Sequence, residues 1–174
     1  MPSVRRAVLR VAGQPLEVES FEPLPCRGDQ VRMQVLATGV CRTDAHIVSG
    51  ADPIALPRVL GHEVAGRVDG LGNVVVYGAF GCRSCLDCAA GNEQLCPWVR
   101  FLGRTVDGGF PDQVVVPSAQ YCVALGDLDP LLAAADGVSR SSPQRAVAAT
   151  WRDGGGDWGR RRQGPCGAAA SRAD

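Results

Sequence analysis

Four cysteines lie within fifteen positions of one another, and they restrict the fold of this 174-residue chain more than any other feature. They are Cys82, Cys85, Cys88 and Cys96, with the spacing C-x2-C-x2-C-x7-C. Two-residue gaps let several thiolates turn inward from one tight loop, and the longer gap brings back a fourth. Four thiolates complete the tetrahedral shell of Zn²⁺ and leave no position for water or substrate. We therefore expect a structural zinc lobe over residues 81–97 that takes no direct part in a reaction.

An iron–sulfur cluster is the main alternative for this pattern, because three cysteines two residues apart also suit one. In ferredoxin-type runs the fourth cysteine follows after three residues, whereas seven residues precede Cys96 here. Disulfides are disfavoured, since the first fifteen residues do not resemble a secretory signal and cytoplasmic thiols stay reduced. Zinc is the favoured occupant.

Composition gives no reason to expect nucleic acid or membrane as a partner. Eighteen basic residues balance eighteen acidic ones, and the hydrophobic and charged fractions are 45% and 21%. Those fractions are close to globular averages. No stretch approaches the ~18 consecutive apolar residues of a membrane span. The expectation is a cytoplasmic protein that binds neither nucleic acid nor membrane.

Residues 1–130 have the pattern of one mainly β domain. Short valine-rich segments, several of them alternating apolar with polar residues, are separated by glycine and proline turns. These segments are VRRAVLRVA, LEVES, VRMQVLATGV, VLGHEVAGRV, NVVVYGAF, QVVVPS and YCVAL. They predict a barrel or a sandwich.

Residues 131–174 differ in character and are predicted to form a degenerate, disordered tail. From Arg140 onward there are seven arginines, three aspartates and, among Ile, Leu, Val and Phe, only Val147. A formal G-x-G-x-x-G occurs at Gly154, Gly156 and Gly159. It follows no buried strand and opens no amphipathic helix, so it does not indicate a dinucleotide site. We expect no complete Rossmann domain in this sequence.

A second group of chemically active side chains lies upstream, in GVCRTDAH (39–46) and LGHEVAG (60–66). Singly, each cysteine or histidine is more often a packing residue. Together, a thiolate, an imidazole and a carboxylate can form an incomplete zinc shell with room for water. Such a site lowers the pKa of a bound hydroxyl and polarises a carbonyl. Thr43 and His46 are close enough to Cys41 in sequence to pass a proton outward.

These motifs, in this order, resemble the catalytic domain of zinc-dependent alcohol dehydrogenases of the medium-chain dehydrogenase/reductase family. The resemblance runs from about residue 4 to residue 130 and implies a GroES-like β-barrel, an α+β catalytic domain with a structural zinc lobe. It implies hydride transfer between a small alcohol or aldehyde and NAD or NADP, with a structural and a catalytic zinc. A homo-oligomer is compatible with it.

The resemblance also assigns roles to metal-site residues. Cys41 and His62 match ligands of the catalytic zinc, and Glu63 matches a carboxylate that can approach the metal. Asp44 matches a carboxylate that orients His62. In the family, the remaining protein ligand of the catalytic zinc comes after the structural zinc lobe in sequence. Asp136 lies near that position, although the residues that follow it do not match the family pattern.

Three further positions match residues that handle substrate and cofactor. Thr43 matches the hydroxyl that hydrogen-bonds the substrate alcohol, and His46 matches the outer end of the proton relay. Arg42 matches a position near the cofactor pyrophosphate.

The chain departs from the family pattern in ways that affect its expected activity. Only twenty positions separate His62 from Cys82, which predicts a missing turn and strand and exposed sheet edges. We expect a truncated or frame-shifted relative with little or no activity alone. The alternatives are a non-catalytic zinc-binding β domain, a pseudogene-like fragment or, least favoured, a zinc-ribbon-like nucleic-acid binder.

Overall fold

The computed structural model describes residues 4–22 and 25–136, apart from the side chains of residues 135 and 136. Ten strands and three helices follow one another as β1 (Val4–Leu9), β2 (Glu17–Phe21), β3 (Val31–Gly39), α1 (Arg42–Ser49), β4 (Arg58–Val59), β5 (Glu63–Val68), β6 (Gly72–Val76), β7 (Ala79–Phe80), α2 (Leu86–Ala89), β8 (Arg100–Phe101), β9 (Gln113–Val116), β10 (Cys122–Ala124) and α3 (Pro130–Asp136). The mainly β prediction is confirmed. None of the described helices is long and apolar enough to span a bilayer.

The strands form a five-stranded antiparallel sheet in the order β10-β6-β5-β3-β9, a three-stranded sheet β2-β1-β4, and the pair β7-β8. Residues 108–112 link the two larger sheets. Within this segment Phe110 accepts a hydrogen bond from Ala7 N at 3.1 Å and Asp112 N donates to the Arg5 carbonyl at 2.8 Å. Gly108 N donates to the Val59 carbonyl at 2.8 Å. The same segment continues into β9, so one stretch of chain belongs to both sheets.

The main core follows from the alternation seen in the sequence. Val31 and Met33 of β3 point inward and are at most 2% exposed, while the residues between and beyond them are less buried. The rest of this core comes from neighbouring strands and loops: Val64, Val68, Val74, Val76, Phe80, Leu102, Val114, Val116 and Tyr121. Cys122 is partly buried and packs against this cluster.

Strand β5 departs from simple alternation, because helix α3 covers its other face. Ala65, Ala133 and Ala134 form a separate buried cluster, with Ala133 and Ala134 each 2% exposed. Small side chains let the helix approach the sheet closely. Helix α3 therefore packs on the sheet, while the division of the chain at residue 130 stays a prediction. Residues 137–174, with the rest of the predicted tail and the glycine pattern, lie outside the described residues.

The short connection between His62 and Cys82 is accommodated by a tight hairpin. Strands β5 and β6 pair from Ala65 with Val75 to Val68 with Gly72, and β6 then pairs with β10. Strand β7 follows and leads directly into the cysteine cluster.

Candidate metal centres

The cysteine cluster folds into a loop that turns four sulfurs toward one point. The Sγ atoms of Cys82, Cys85, Cys88 and Cys96 all lie within 4.8 Å of one another. The Cys82 and Cys88 sulfurs are 4.0 Å apart, close to the roughly 3.8 Å expected between thiolates on tetrahedral zinc with Zn–S bonds of about 2.3 Å. The donor set and its spacing fit zinc.

Backbone N–H groups support these sulfurs as thiolates. Cys82 N and Trp98 N donate to the Cys96 Sγ at 3.3 and 3.4 Å, and Cys88 N donates to the Cys85 Sγ at 3.5 Å. A Cβ at Gly81 would lie 2.5 Å from the Cys88 Sγ, so the loop requires glycine there. Hydrogen bonds to a charged sulfur favour the ionised form, which is the form that binds metal.

The thiols of this loop differ in acidity. A hydrogen bond from the Ser84 hydroxyl, 3.3 Å from the sulfur, lowers the pKa of Cys82 to about 6. Desolvation among the neighbouring sulfurs raises the pKa of Cys88 to about 12. A cation at the centre is what would bring all four into the thiolate form together.

The second candidate centre starts at Cys41, the N-cap of α1. Its Sγ accepts a hydrogen bond from Thr43 N at 3.2 Å, and the Asp44 carboxylate accepts from Cys41 N at 3.0 Å. The Cys41 side chain also accepts from the Asp44 backbone N–H, and the two reciprocal bonds between Cys41 and Asp44 form a capping box that satisfies orphan donors at the helix start. Gly50, with a φ of 81°, ends the helix in the left-handed conformation. The cap therefore fixes the direction of the Cys41 sulfur.

Asp44 connects this helix to His62. Its side chain is 2% exposed; Gly61 N donates to Oδ1 at 3.1 Å, and His62 Nδ1 is 3.6 Å from the same oxygen. Burial alone would raise the pKa of Asp44, but hydrogen bonds from His62 and from the backbone of Cys41 and Gly61 outweigh it and lower the pKa. The hydrogen bond to Asp44 raises the pKa of His62 to about 9. A carboxylate on Nδ1 leaves Nε2 to face a metal.

The His62 ring presents Nε2 to Cys41 Sγ at 2.9 Å. Tetrahedral zinc with ordinary bond lengths would hold these two atoms at roughly 3.5 Å, so binding requires only a small separation. The Glu63 carboxylate completes a group of three donors within 4.8 Å of one another. This group brings together the predicted ligands Cys41, His62 and Glu63.

The position of the Glu63 carboxylate is the observation that most favours a bound cation at this centre. Glu63 is only 8% exposed, and no described residue donates a hydrogen bond to its carboxylate. Gly39 makes room for it, since a Cβ at Gly39 would lie 2.2 Å from Glu63 Oε2. A carboxylate that is largely removed from water is stabilised when a positive charge lies beside it. The residues present therefore fit a metal ion.

Three predicted residues lie on α1 beside this centre. Thr43 is half-buried, whereas Arg42 and His46 are exposed. Arg42 Nε donates to His46 Nε2 at 3.4 Å. Thr43 and His46 are three residues apart and so share one side of the helix. Their substrate, relay and cofactor roles stay predictions.

Asp136, the candidate for the remaining zinc ligand, and the core cysteine Cys122 lie in different parts of the domain. Asp136 ends α3, and its side chain lies outside the described part of the chain. The Ala134 carbonyl would be 3.1 Å from a Cβ at Gly39, which brings the end of α3 near Glu63. Burial raises the pKa of the Cys122 thiol to about 12, in agreement with its place in the core.

Sequence reasoning missed the glycines packed behind His62. A Cβ at Gly103 would be 2.7 Å from the Gly61 carbonyl oxygen, and a Cβ at Gly109 would be 2.0 Å from the Val64 side chain. Gly61 itself has a φ of 93°. The GGF in the sequence was the available signal, but only the fold shows which backbone it approaches.

Comparisons with known proteins agree with this geometry. The family model described as alcohol dehydrogenase GroES-like domain matches residues 27–127. D-arabinose 1-dehydrogenase (NADP(+)) of Saccharolobus solfataricus is 32% identical over 146 residues, covering 77% of this chain and 42% of that protein. An NAD-dependent alcohol dehydrogenase of Sulfurisphaera tokodaii is 34% identical over 155 residues, covering 78% and 44% respectively.

A solved structure gives the same result. The cobalt and zinc bound thermostable alcohol dehydrogenase of Pyrobaculum aerophilum matches with a TM-score of 0.65 and 30% identity, covering 76% of this chain and 44% of that one. The chain thus spans less than half the length of each of these three relatives.

Proposed function

The chain belongs to the alcohol dehydrogenase GroES-like domain family, and we propose that it is the metal-holding catalytic domain of a zinc-dependent alcohol dehydrogenase. The observation that carries this proposal is the convergence of Cys41, His62 and Glu63 on one point beside a buried Asp44. The closed cysteine lobe then has a structural role, because four thiolates leave no open position.

In this proposal each residue near the open centre has a chemical task. Cys41 and His62 would hold the zinc, and Glu63 would balance its charge. Bound zinc would polarise a substrate oxygen and lower the pKa of an alcohol. The Thr43 hydroxyl would hydrogen-bond that oxygen, and His46 at the exposed side of α1 would exchange the proton with water. Asp44 would keep Nε2 of His62 directed at the metal.

The substrate class that suits this arrangement is a small alcohol or aldehyde. The hydride partner would be NAD or NADP, and the named relatives include one of each preference. Arg42 would lie near the cofactor pyrophosphate. A cytoplasmic location and a homo-oligomeric state stay part of the proposal.

Metal stoichiometry tests the open centre. We expect the purified chain to bind two zinc ions, and His62→Gln or Cys41→Ser to bind one, because each variant removes a donor from the open centre only. Atomic absorption after dialysis measures the difference. His46→Gln is the matched control: it removes the chain's other histidine, which lies outside the donor group, and should leave two zinc ions bound. One zinc in the wild-type chain would instead favour a non-catalytic zinc-binding β domain.

We further infer that the chain alone transfers hydride too slowly to measure. The described residues include the proposed metal ligands Cys41 and His62, and none of them forms the doubly wound α/β fold that holds a dinucleotide. A nicotinamide that is not held beside the substrate reacts without the rate advantage of fixed positioning. For well-oriented reactants, that advantage corresponds to effective molarities of roughly 10⁵ M and above. The assay follows reduced nicotinamide by absorbance with simple alcohols and zinc-loaded protein. Any steady, protein-dependent turnover above the background of zinc and nicotinamide alone would contradict this inference.

A further inference from the structure

The two principal donors of the open centre stand on separate pieces of chain. Cys41 caps the N-terminus of α1, and His62 follows residues 59–61, which are hydrogen-bonded to residues 108–110. The distance between the donors therefore depends on how α1 is oriented against residues 59–61. A metal shell of fixed geometry is sensitive to that orientation.

Asp44 fixes only one end of the helix. Its bonds to Gly61 and His62 lie in the first turn of α1, and the eight-residue helix extends about 12 Å beyond its start. Ile47 adds apolar packing against Leu9 and Leu60. Apolar contacts are non-directional, so they restrain a tilt of the helix less than a second polar contact at its far end would.

Two polar contacts lie at that end of α1. Gly13 N donates to the Val48 carbonyl at 2.6 Å, and Asp52 makes the other contact just beyond the C-terminus. Asp52 N donates to the His46 carbonyl at 3.1 Å, which ties Asp52 to the last turn of the helix. Both terminal nitrogens of Arg104 bond the Asp52 carboxylate, one of them at 2.9 Å and the other at a short distance. The two side chains are 42% and 29% exposed, respectively. Bidentate guanidinium–carboxylate pairs hold both distance and angle.

Arg104 is itself fixed relative to His62. It lies in a tight turn in which Thr105 N donates to the Phe101 carbonyl at 2.9 Å, and Leu102 N donates to the Gly78 carbonyl at 2.9 Å. Gly103, the residue before it, packs against the Gly61 backbone. The chain then runs directly into residues 108–110, which bond residues 59–61. The turn and His62 therefore move as one piece.

The geometry points to Arg104 as a positioning residue for the open metal centre. Gly13 ties the far end of α1 to the turn between β1 and β2, whereas Arg104, through Asp52, ties it to the piece that carries His62 and so helps hold Cys41 opposite His62 Nε2. This inference rests on the proposed catalytic zinc site. A plain surface ion pair of this exposure would contribute a little stability and leave metal affinity unchanged.

Titration with Co²⁺ separates these roles, because the two centres absorb differently. Thiolate-to-metal charge transfer grows with the number of sulfur ligands, so a four-sulfur centre and a one-sulfur centre give distinct spectra. The variants are Arg104→Gln, Asp52→Asn and the double variant. We expect each single change to weaken Co²⁺ binding at the Cys41–His62 centre roughly three- to tenfold and to shift its visible bands. The double variant should be no weaker than either single one, since both remove the same contact.

The matched control is Arg10→Gln with Glu17→Gln, an exposed ion pair between the residue that follows β1 and the first residue of β2. It should leave both cobalt spectra unchanged. The four-sulfur spectrum of each variant also reports that the domain is folded; if Arg104→Gln loses it, Asp52→Asn tests the contact from its other side.

The outcomes distinguish this inference from the proposed function. Two cobalt ions in every variant, with unaltered affinity and bands at the open centre, would overturn the role of Arg104 and leave the proposed function standing. A single four-sulfur cobalt centre in the wild-type chain would overturn both. Weaker binding in the singles that adds up fully in the double would also overturn it, because the two residues would then act independently.

Discussion

Changing Cys96 to serine is expected to remove one zinc ion and to lower the free energy of unfolding by more than about 4 kcal/mol. Structural zinc contributes directly to folding energy, because the assembled site does not exist in the unfolded chain. Cys96 is the most buried sulfur of the cluster, at 2% exposed, and it accepts two backbone hydrogen bonds. A serine hydroxyl there would be a poorer ligand and would leave the other three thiolates crowded without a full shell.

Zinc analysis and urea denaturation with and without a chelator measure this effect. In the wild-type chain the chelator should lower the urea denaturation midpoint strongly. In the variant, which lacks the zinc of the lobe, the chelator should change the midpoint much less. Cys122→Ala is the matched control, because it deletes another sulfur from the core but none from the lobe. Its zinc content should not change, and its stability should fall by only about 1 kcal/mol. Full zinc content in Cys96→Ser would refute the structural role of this sulfur.

Gly108→Ala is expected to have an effect of similar size for a different reason. A Cβ at Gly108 would lie 2.2 Å from the Gly61 carbonyl oxygen, 2.5 Å from that of Leu60 and 2.7 Å from the Cα of Gly103. All three are backbone atoms, so no side chain can rotate away. The segments around residues 60 and 108 must separate, which breaks the bond from Gly108 N to Val59. We expect a loss of more than about 4 kcal/mol, the range of severe overpacking and broken networks.

The same variant should lose zinc at the open centre before the lobe, because Gly61 directly precedes His62. Thermal unfolding and zinc stoichiometry at low temperature measure the two effects. Gly78→Ala provides the comparison, since its nearest neighbour would be the Leu102 Cβ at 3.3 Å and its conformation needs no positive φ. That change should stay within about 1 kcal/mol. Equal stability of the two variants would contradict the prediction, because it would show that the backbone around Gly108 can move to accommodate a Cβ at little cost.

The predictable parts of the fold are those determined by residues that lie close together in the sequence. Alternating valines gave the strands of the main sheet, and the spacing of four cysteines gave the lobe. The convergence of Cys41 with His62 and Glu63 followed from a family resemblance and not from spacing. The structure supports that convergence through the capping box and through Asp44.

The remaining features depend on contacts between distant parts of the chain. Arg104 and Asp52 are 52 positions apart, and no periodicity connects them. Helix α3 has only seven residues, and Leu131 and Leu132 are exposed, so its apolar pattern does not indicate which face packs. The buried alanines of that helix become recognisable only once β5 is seen to lie beneath them.

The strand segment shared by the two larger sheets has a consequence for how the domain unfolds. Residues 108–112 bond Ala7 and Arg5 in one sheet, the loop before His62, and β3 of the other sheet. Neither sheet can open without breaking bonds that also hold its neighbour. The domain therefore opens as a single cooperative unit, and its most slowly exchanging amides should include those of Ala7 and Phe110. Because His62 is carried by this shared framework, the proposed open metal centre can assemble only in molecules whose whole β framework is closed.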